Sequence, residues 1–362
     1  MTTLVLHIGS PKTGSSAIQA ALPPRPPRWR DAGWCIPPSN PYRKLEPAGC
    51  IATLYSDPDS LPRTWSQRQM ANPGRYQRDV ARYRTLLRRS LRPRWRTTPQ
   101  AVFLSSEYLW SLPVDSIDQL RTDFLNLGVV RFLVIAYVRP PESFYRSLLQ
   151  QHARLSTSLR RFRPQRWRYR FRQRLEAWHE VFRNDLLVRP FERAQLVGNC
   201  VVQDLAATIA LRCADLPPLL CASPSQIVNA SASLEELLVM QQWMRQFPSQ
   251  SASGDLQRSH ALWRQWARFK AASDHQHGTP LALQPDVAQA IRDRHLPDLQ
   301  WLQDTFGVAF LSTATTDAPA AGQCDRNWPE EIQLEDLFQP AQDLVLLRRL
   351  YKSLGGRSLP TS

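Results

Sequence analysis

The chain has 362 residues, of which 43% are hydrophobic, and this is enough to bury a large globular core. Its formal net charge of +15 favours anionic partners, such as a nucleotide, an acidic glycan, a nucleic acid or an anionic membrane surface. No apolar run approaches the roughly 20 residues that span a bilayer, and the first residues lack the basic start of a secretory signal. The six cysteines form no CxxC pair and no zinc-site spacing. We therefore expect a cytoplasmic protein with reduced thiols, no membrane span and no metal site.

Short apolar runs alternate with helical patterns along the chain. We predict buried strands at residues 4–8, 101–104, 131–139 and 186–188. Helices are predicted at residues 15–22, 75–96, 116–125, 142–155, 201–211, 234–247, 285–305 and 342–354. This alternation predicts an α/β fold with a central parallel sheet flanked by helices, additional helical insertions and a helical C-terminal region.

The composition also suggests an organisation into domains. We expect one α/β domain over residues 1–310, interrupted by a basic insertion at about 23–98. Within this insertion, residues 23–48 are rich in Pro, Trp and Arg, and this composition indicates an irregular segment. Residues 311–323 have the composition of a linker, and we expect residues 311–362 to form a linker and a C-terminal helical extension.

The N-terminal segment LHIGSPKTGSSAIQ, residues 6–19, passes from the first strand into the first helix. Gly9 and Gly14 have the spacing of a Walker A loop, but Ser15 stands where that motif has its lysine, and Lys12 lies two residues before Gly14. A P-loop kinase-like phosphotransferase is therefore disfavoured, and no clear Mg²⁺-holding Asp is evident. It stays open as one alternative.

The same segment retains the features of an anion-binding loop. The N–H groups of residues 13–16 would point at an oxyanion, with help from the dipole of the following helix. Lys12 adds a cation, and Ser15 and Ser16 add hydroxyl donors. A tight turn between a strand and a helix thus predicts capture of a phosphate or sulfate group.

The loop resembles the 5′-phosphosulfate loop of sulfotransferases that use 3′-phosphoadenosine 5′-phosphosulfate (PAPS). Their P-K-[ST]-G-[ST]-[ST] pattern is matched by PKTGSS, that is by Pro11, Lys12, Thr13, Gly14, Ser15 and Ser16. The resemblance implies a sulfotransferase with a P-loop-like fold, PAPS as co-substrate and no metal. It covers roughly residues 1–20 and 100–235.

A second motif, YVRPPESFYRS at residues 137–147, extends this resemblance. Sulfotransferases hold the 3′-phosphate of PAPS with an arginine at a strand end and a serine eight residues later, which implies this role for Arg139 and Ser147. Ser143 lies one helical turn before Ser147 and shares its face. The segment 228–233 resembles a bacterial segment near the same phosphate and makes Asn229 a candidate; Arg189, at the end of the 186–188 strand, is another.

Sulfuryl transfer also needs a general base for the acceptor hydroxyl. Glu107 follows the 101–104 strand, and several glycan sulfotransferases use a glutamate for this step, whereas cytosolic ones use a histidine. His152 is the competing base, and His7 is expected to be structural in the first strand. Lys12, Glu107 and Arg139 each follow a predicted strand, and ligands of open parallel sheets bind at the carboxyl ends of strands.

Two Arg-rich stretches, at residues 75–96 and 160–174, contribute most to the basic character. Solvated helix faces are one interpretation, and a groove for an anionic glycan acceptor, with Trp side chains stacking on sugars, is another. A nucleic-acid-binding protein would also use Arg runs with interleaved aromatic residues. No nucleic-acid-binding motif is recognisable, and the PKTGSS and Arg139 motifs are not needed for that function. The oligomeric state and the acceptor hydroxyl are left open.

Overall fold

The computed structural model describes residues 2–22, 33–36, 49–52, 54–56, 70–91, 99–219, 232–246, 278–311, 328–343 and 345–346. Contacts divide the chain into two compact units. The first comprises Met1–Pro140, Arg170–Val228 and Asp298–Ala314; the second comprises Pro141–Tyr169, Asn229–Pro297 and Thr315–Ser362. The boundary near residue 310 that the composition suggests stays a prediction.

The first unit is built on a five-stranded parallel sheet. Its strands are β1 Thr2–His7, β2 Trp34–Cys35, β3 Ala101–Ser105, β4 Val129–Val138 and β5 Leu186–Pro190. Their order in the sheet is β2-β3-β1-β4-β5, and every neighbouring pair is parallel. The predicted α/β class with a central parallel sheet is confirmed.

Helices lie between and after the strands. Their bounds are α1 Ser15–Ala21, α2 Gly49–Ala52, α3 Pro73–Leu91, α4 Val114–Asn126, α5 Pro141–Ala153, α6 Phe171–Phe182, α7 Val201–Arg212, α8 Leu234–Gln246, α9 Pro285–Phe306 and α10 Leu334–Leu337. None of these helices of the described chain is both long and apolar enough to cross a membrane.

The central strands are apolar on both faces because helices cover both sides of the sheet. On one face, Val5, Phe103 and Ile135 pack into a core with Ile18 of α1 and Leu205 of α7. On the other face, α4 and α6 pack against each other and against β4. The rings of Phe132 and Phe182 lie 5.4 Å apart there. The sheet is therefore the middle of three layers in the first unit. Because helices cover both of its faces, functional groups can be positioned at the ends of the strands.

In the second unit, α5 and α8 pack together. Gln241 of α8 donates to the Ser156 carbonyl at 2.7 Å, just beyond the end of α5. Glu235, at the start of α8, is buried and accepts a hydrogen bond from the Thr279 amide at 2.9 Å. Ser233 and Glu236 form the reciprocal bonds of a capping box at the same helix start. These buried carboxylates have local partners and a structural role.

Two elements differ from the sequence-based expectation. The two-residue strand β2 lies within the segment 23–48, which its composition indicated to be irregular. Helix α6 begins inside the second Arg-rich stretch and is not among the helices predicted by bounds, although solvated helix faces were one interpretation of that stretch. The predicted helix 342–354 lies mostly outside the described residues.

Candidate functional site

Three of the predicted site segments follow three adjacent strands of the sheet. The loop with Lys12 follows β1, Glu107 follows β3 and Arg139 follows β4, and β1 lies between β3 and β4. His7 pairs with Ser105 in one neighbouring strand and with Ile135 in the other. Because all three strands are parallel, these segments leave the same edge of the sheet.

The loop after β1 is tightly folded. Ser10 and Thr13 are buried, and the Thr13 hydroxyl donates to the Ser10 carbonyl at 2.5 Å. Lys12 and Gly14 both have left-handed backbone conformations, with φ of 66° and 83°. Left-handed residues within a turn align successive N–H groups into a concave anion-binding nest. A lysine in that conformation is strained, and such strain is common where a loop holds a ligand.

Gly14 joins this loop to the rest of the first unit. A β-carbon on Gly14 would lie 2.8 Å from Val201 Cγ1 and 3.1 Å from the ring of Phe191. The Gly14 carbonyl accepts the first bonds of α1, from the amides of Ala17 and Ile18. Because α1 has only seven residues, anion capture would depend on the loop amides and side chains more than on a helix dipole.

The hydroxyl groups of the loop are not equivalent. Ser15 is buried, with 4% of its surface exposed, whereas Ser16 is exposed. Pro11 and Lys12 are half-buried. Of the two serine hydroxyls of the loop, one is therefore buried in the protein and the other lies at the surface.

Arg139 lies against this loop. Its Nη1 donates a hydrogen bond to the Lys12 carbonyl at 3.1 Å, and its guanidinium carbon stands 5.7 Å from the centroid of the Phe191 ring. Phe191 thus contacts both the loop, at Gly14, and Arg139. Two motifs separated by 127 residues in sequence are brought together in the first unit.

Glu107 begins the 3₁₀ helix Glu107–Ser111, directly after β3, and it is half-buried. The preceding Ser106 is buried, and its amide donates to the His7 carbonyl at 3.0 Å. The backbone next to Glu107 is therefore tied to the end of β1. The Glu107 carboxylate thus lies directly after β3, and its role as general base stays a prediction.

His7, expected to be only structural, lies at the C-terminal end of β1 and is 0% exposed. Its Nδ1 forms a hydrogen bond with Ser105 Oγ at 2.9 Å. Within the described residues, His7 Nε2 and Ser15 Oγ are buried and have no hydrogen-bond partner. Burial lowers the pKa of His7 to about 4, so the ring is neutral near pH 7. The sequence did not predict that His7 would have a buried nitrogen without a hydrogen-bond partner beside the loop 11–16.

The other serine and histidine candidates lie in the second unit. Ser143 and Ser147 are half-buried and one turn apart on α5. The ring of His152, near the end of α5, hydrogen-bonds through Nε2 with the Ser158 carbonyl at 2.8 Å. Burial lowers the pKa of His152, with the nearby Arg161 acting in the same direction and the Ser158 carbonyl opposing it. A catalytic role for His152 and the pairing of Ser147 with Arg139 stay predictions.

Arg189 has a structural role in the fold, and the ligand role considered for it stays a prediction. It donates through Nε to Asp204 at 3.1 Å and forms an ion pair with the same buried carboxylate. The Tyr137 hydroxyl and the Val197 amide also donate to Asp204, at 2.7 and 3.0 Å. Burial is the main cause of the raised pKa of Tyr137. This network links β4 and β5 to α7. Asn229, the remaining candidate, lies outside the described residues.

Several arginines of the second Arg-rich stretch also have partners within the protein. Arg163 donates to the Pro329 carbonyl at 2.8 Å and Arg168 to the Arg294 carbonyl at 2.7 Å. Arg174 donates to the Ser111 carbonyl at 3.1 Å, and Arg172 pairs with Glu176 at 2.8 Å. Much of this stretch stabilises the fold. In the first stretch, Arg75, Arg78 and Arg82 are exposed on α3.

Comparisons with known proteins give little further information. No family model and no curated protein matches the chain. One solved structure that does match is the crystal structure of a sulfotransferase from Alicyclobacillus acidocaldarius, at 18% identity, covering 71% of this chain and 94% of that chain with a TM-score of 0.32. Among the described residues, no group of His, Cys, Asp and Glu side chains is arranged to hold a metal ion.

Proposed function

We propose that the chain is a sulfotransferase that moves a sulfuryl group from PAPS to an acceptor hydroxyl, with a carbohydrate as the acceptor class. The observation that carries this proposal is the hydrogen bond between Arg139 Nη1 and the Lys12 carbonyl. It brings together, at neighbouring strand ends, the two motifs that the sequence associates with the two phosphates of the nucleotide.

The loop 11–16 would hold the 5′-phosphosulfate. Its buried turn and left-handed residues support this role, because they gather N–H groups around one concave surface. Lys12 would neutralise the charge that develops on the bridging oxygen as the sulfur–oxygen bond breaks. Interactions of this kind stabilise the transition state more than the bound nucleotide.

Arg139 would bind the 3′-phosphate with its planar fork of N–H donors, which matches phosphate geometry. Its contacts with the Lys12 carbonyl and Phe191 hold the guanidinium in one place before any ligand binds. Such preorganisation reduces the entropy that binding costs. Ser147, and with it Ser143, is the proposed second contact of this phosphate.

Glu107 is the proposed general base. It would accept the proton of the acceptor hydroxyl while the hydroxyl oxygen bonds to sulfur and the bond from sulfur to the 5′-phosphate oxygen breaks. Adenosine 3′,5′-bisphosphate then leaves with the bonding electron pair. The position of Glu107, at the strand end beside β1, supports this role. A base within reach contributes about 10²–10⁴-fold to the rate.

The proposed acceptor is an anionic glycan. The net charge of +15 and the exposed arginines of α3 support it, because an excess of positive charge attracts anionic polymers. The second Arg-rich stretch contributes less to this argument than its composition suggested, since several of its arginines bind main-chain carbonyls and Glu176.

The test is transfer of label from PAPS carrying ³⁵S to a panel of anionic and neutral polysaccharides, with Lys12→Ala as the matched control. The expected result is a labelled polysaccharide and release of adenosine 3′,5′-bisphosphate by the wild-type protein, with about 10²-fold less from the control. Equal release by both proteins would contradict the proposal. Retention on RNA or DNA with a steep salt dependence, without any transfer, would favour nucleic-acid binding instead.

A further inference from the structure

The buried ring of His7 is held from one side by a chain of polar groups. Gln19 Nε2 donates to Ser105 Oγ at 3.4 Å, and Ser105 Oγ hydrogen-bonds His7 Nδ1 at 2.9 Å. A hydroxyl that accepts from Gln19 can pass its own proton towards Nδ1. This arrangement favours the neutral tautomer that carries its proton on Nε2. The ring would then present a donor on its far side.

The far side of the ring faces the anion loop. The point where a β-carbon on Gly9 would stand lies 2.8 Å from His7 Nε2 and 2.6 Å from Ser15 Oγ. Both atoms are buried, and neither has a hydrogen-bond partner within the described residues. Unpaired buried polar atoms are rare and costly, so two of them converging on one glycine require an explanation.

We propose that His7 is a positioning residue of the anion loop, whose ring orients the Ser15 hydroxyl so that this hydroxyl donates its proton to the bound anion. His7 Nε2 and Ser15 Oγ are not hydrogen-bonded to each other in this structure. When the anion binds, Nε2–H would donate to Ser15 Oγ, and this bond would favour the hydroxyl orientation whose proton faces the anion. Gly9 is needed because any side chain there would separate the two groups. This inference rests on the proposed function, since it takes the loop to be the site of the 5′-phosphosulfate.

The neutral state of the ring fits this role. The groups that face His7 are Ser105 from β3, Tyr137 from β4, whose ring centroid is 5.9 Å away, and Ser15 from α1. All three are uncharged near pH 7, and burial lowers the pKa of the ring. A neutral donor directs a hydroxyl without itself competing for the anion.

The test is a double-mutant cycle, read as the dissociation constant of adenosine 3′,5′-bisphosphate by calorimetry on the full chain. His7→Phe keeps the ring shape and removes both nitrogens, whereas His7→Gln keeps a donor near the Nε2 position. We expect His7→Phe and Ser15→Ala each to weaken binding about 3- to 10-fold and His7→Gln to retain most of the affinity. The double variant His7→Phe, Ser15→Ala should bind no more weakly than Ser15→Ala alone.

Two controls separate positioning from general damage. In a Ser16→Ala background, His7→Phe should keep its full effect, because Ser16 is exposed whereas the His7 ring is buried. His179→Phe makes the same substitution at a half-buried histidine that contacts Phe306, and it should leave the affinity unchanged. If His7→Phe lowers the nucleotide affinity equally in the presence and absence of Ser15, the inference is overturned. It is also overturned if His7→Phe does not lower the affinity at all.

If His7→Phe does not fold, ¹⁵N NMR of the wild type and of Ser15→Ala can test the positioning role of His7 instead. The His7 Nε2–H signal, identified by its loss in His7→Gln, should shift when the nucleotide binds the wild type and stay in place in Ser15→Ala. No shift in the wild type would overturn the positioning role alone. A folded wild type that does not bind the nucleotide would overturn the proposed function and this inference together.

Discussion

The guanidinium of Arg139 donates a hydrogen bond to the main-chain carbonyl of Lys12, at 3.1 Å. Arg139 follows β4, and Lys12 lies in the loop after β1, the neighbouring strand. The contact therefore fixes the loop through its backbone and not through the lysine side chain. The stability and turnover of variants at Lys12 and Gly14 should depend on this arrangement.

Lys12 should be separable into a backbone role and a side-chain role. Its φ of 66° suits glycine, so Lys12→Gly should melt at or above the wild-type temperature, because it relieves about 1 kcal/mol of strain. Lys12→Ala keeps a β-carbon and should not gain in this way. Both variants should lose about 10²–10³-fold in kcat with PAPS. Near-normal turnover by either variant would mean that the loop is only structural.

Gly14 should tolerate no side chain, for two reasons that a matched pair of variants can separate. Gly14→Ala adds a β-carbon 2.8 Å from Val201 at a φ of 83°. Gly128→Ala imposes similar strain, at a φ of 91°, but its β-carbon would meet nothing within 4 Å. Denaturant unfolding should show a loss of about 1 kcal/mol for Gly128→Ala and a further 1–3 kcal/mol for Gly14→Ala. Equal losses would mean that the packing of Phe191 and Val201 on the loop is loose.

The sequence predicted the sheet well because each long strand is a continuous apolar run. Strand β4 was predicted at 131–139 and lies at Val129–Val138. Strand β2 could not be predicted, since a two-residue strand has no periodicity and exists only through its pairing with Ala101 and Val102. Helix α6 had a usable signal, with apolar residues at Phe171, Leu175, Trp178 and Phe182, but the interleaved arginines obscured it.

The candidate site was predictable where one short segment carries the signal, as in the loop 11–16. His7 differs, because its proposed role depends on Ser105, which is 98 residues away, and on Ser15 across the loop. The structural role of Arg189 could not be predicted for a similar reason. Its partner Asp204 lies in α7, and nothing local to Arg189 indicates a buried ion pair.

Protonation of His7 should destabilise the fold in acid. The pKa of the ring is lowered to about 4 in the folded chain and is near 6.5 when unfolded. Below pH 6.5 the unfolded state therefore binds a proton that the folded state does not, and stability falls until about pH 4. Between pH 7 and pH 5 this group alone should cost about 2 kcal/mol of unfolding free energy.

The measurement is denaturant unfolding of the wild type and His7→Gln at pH 7 and pH 5. His7→Gln lacks the titrating ring. Its free energy of unfolding should therefore fall by about 2 kcal/mol less than that of the wild type between pH 7 and pH 5. Carboxylates and other histidines titrate in both proteins and cancel in the difference. Parallel stability curves for the two proteins would show that His7 is protonated in the folded chain.

Glu107→Gln should affect chemistry and not nucleotide binding. The amide keeps the shape of the side chain but cannot accept the acceptor proton. We expect kcat to fall about 10²-fold or more while the affinity for adenosine 3′,5′-bisphosphate is unchanged. His152→Ala is the comparison. If Glu107→Gln transfers sulfate at the wild-type rate and His152→Ala is inactive, His152 is the base.

The proposed function requires that the loop 11–16 and Arg139 together bind adenosine 3′,5′-bisphosphate. Calorimetry should compare this nucleotide with adenosine 5′-phosphate for the wild type, Arg139→Ala and Arg75→Ala, the last of which removes an exposed arginine on α3. We expect Arg139→Ala to lower the affinity for the bisphosphate about 10- to 100-fold and the affinity for the monophosphate much less. Arg75→Ala should change neither affinity. Equal losses of affinity for both nucleotides would remove Arg139 from the 3′-phosphate site. A wild-type protein that does not bind the bisphosphate would contradict the proposed sulfotransferase function.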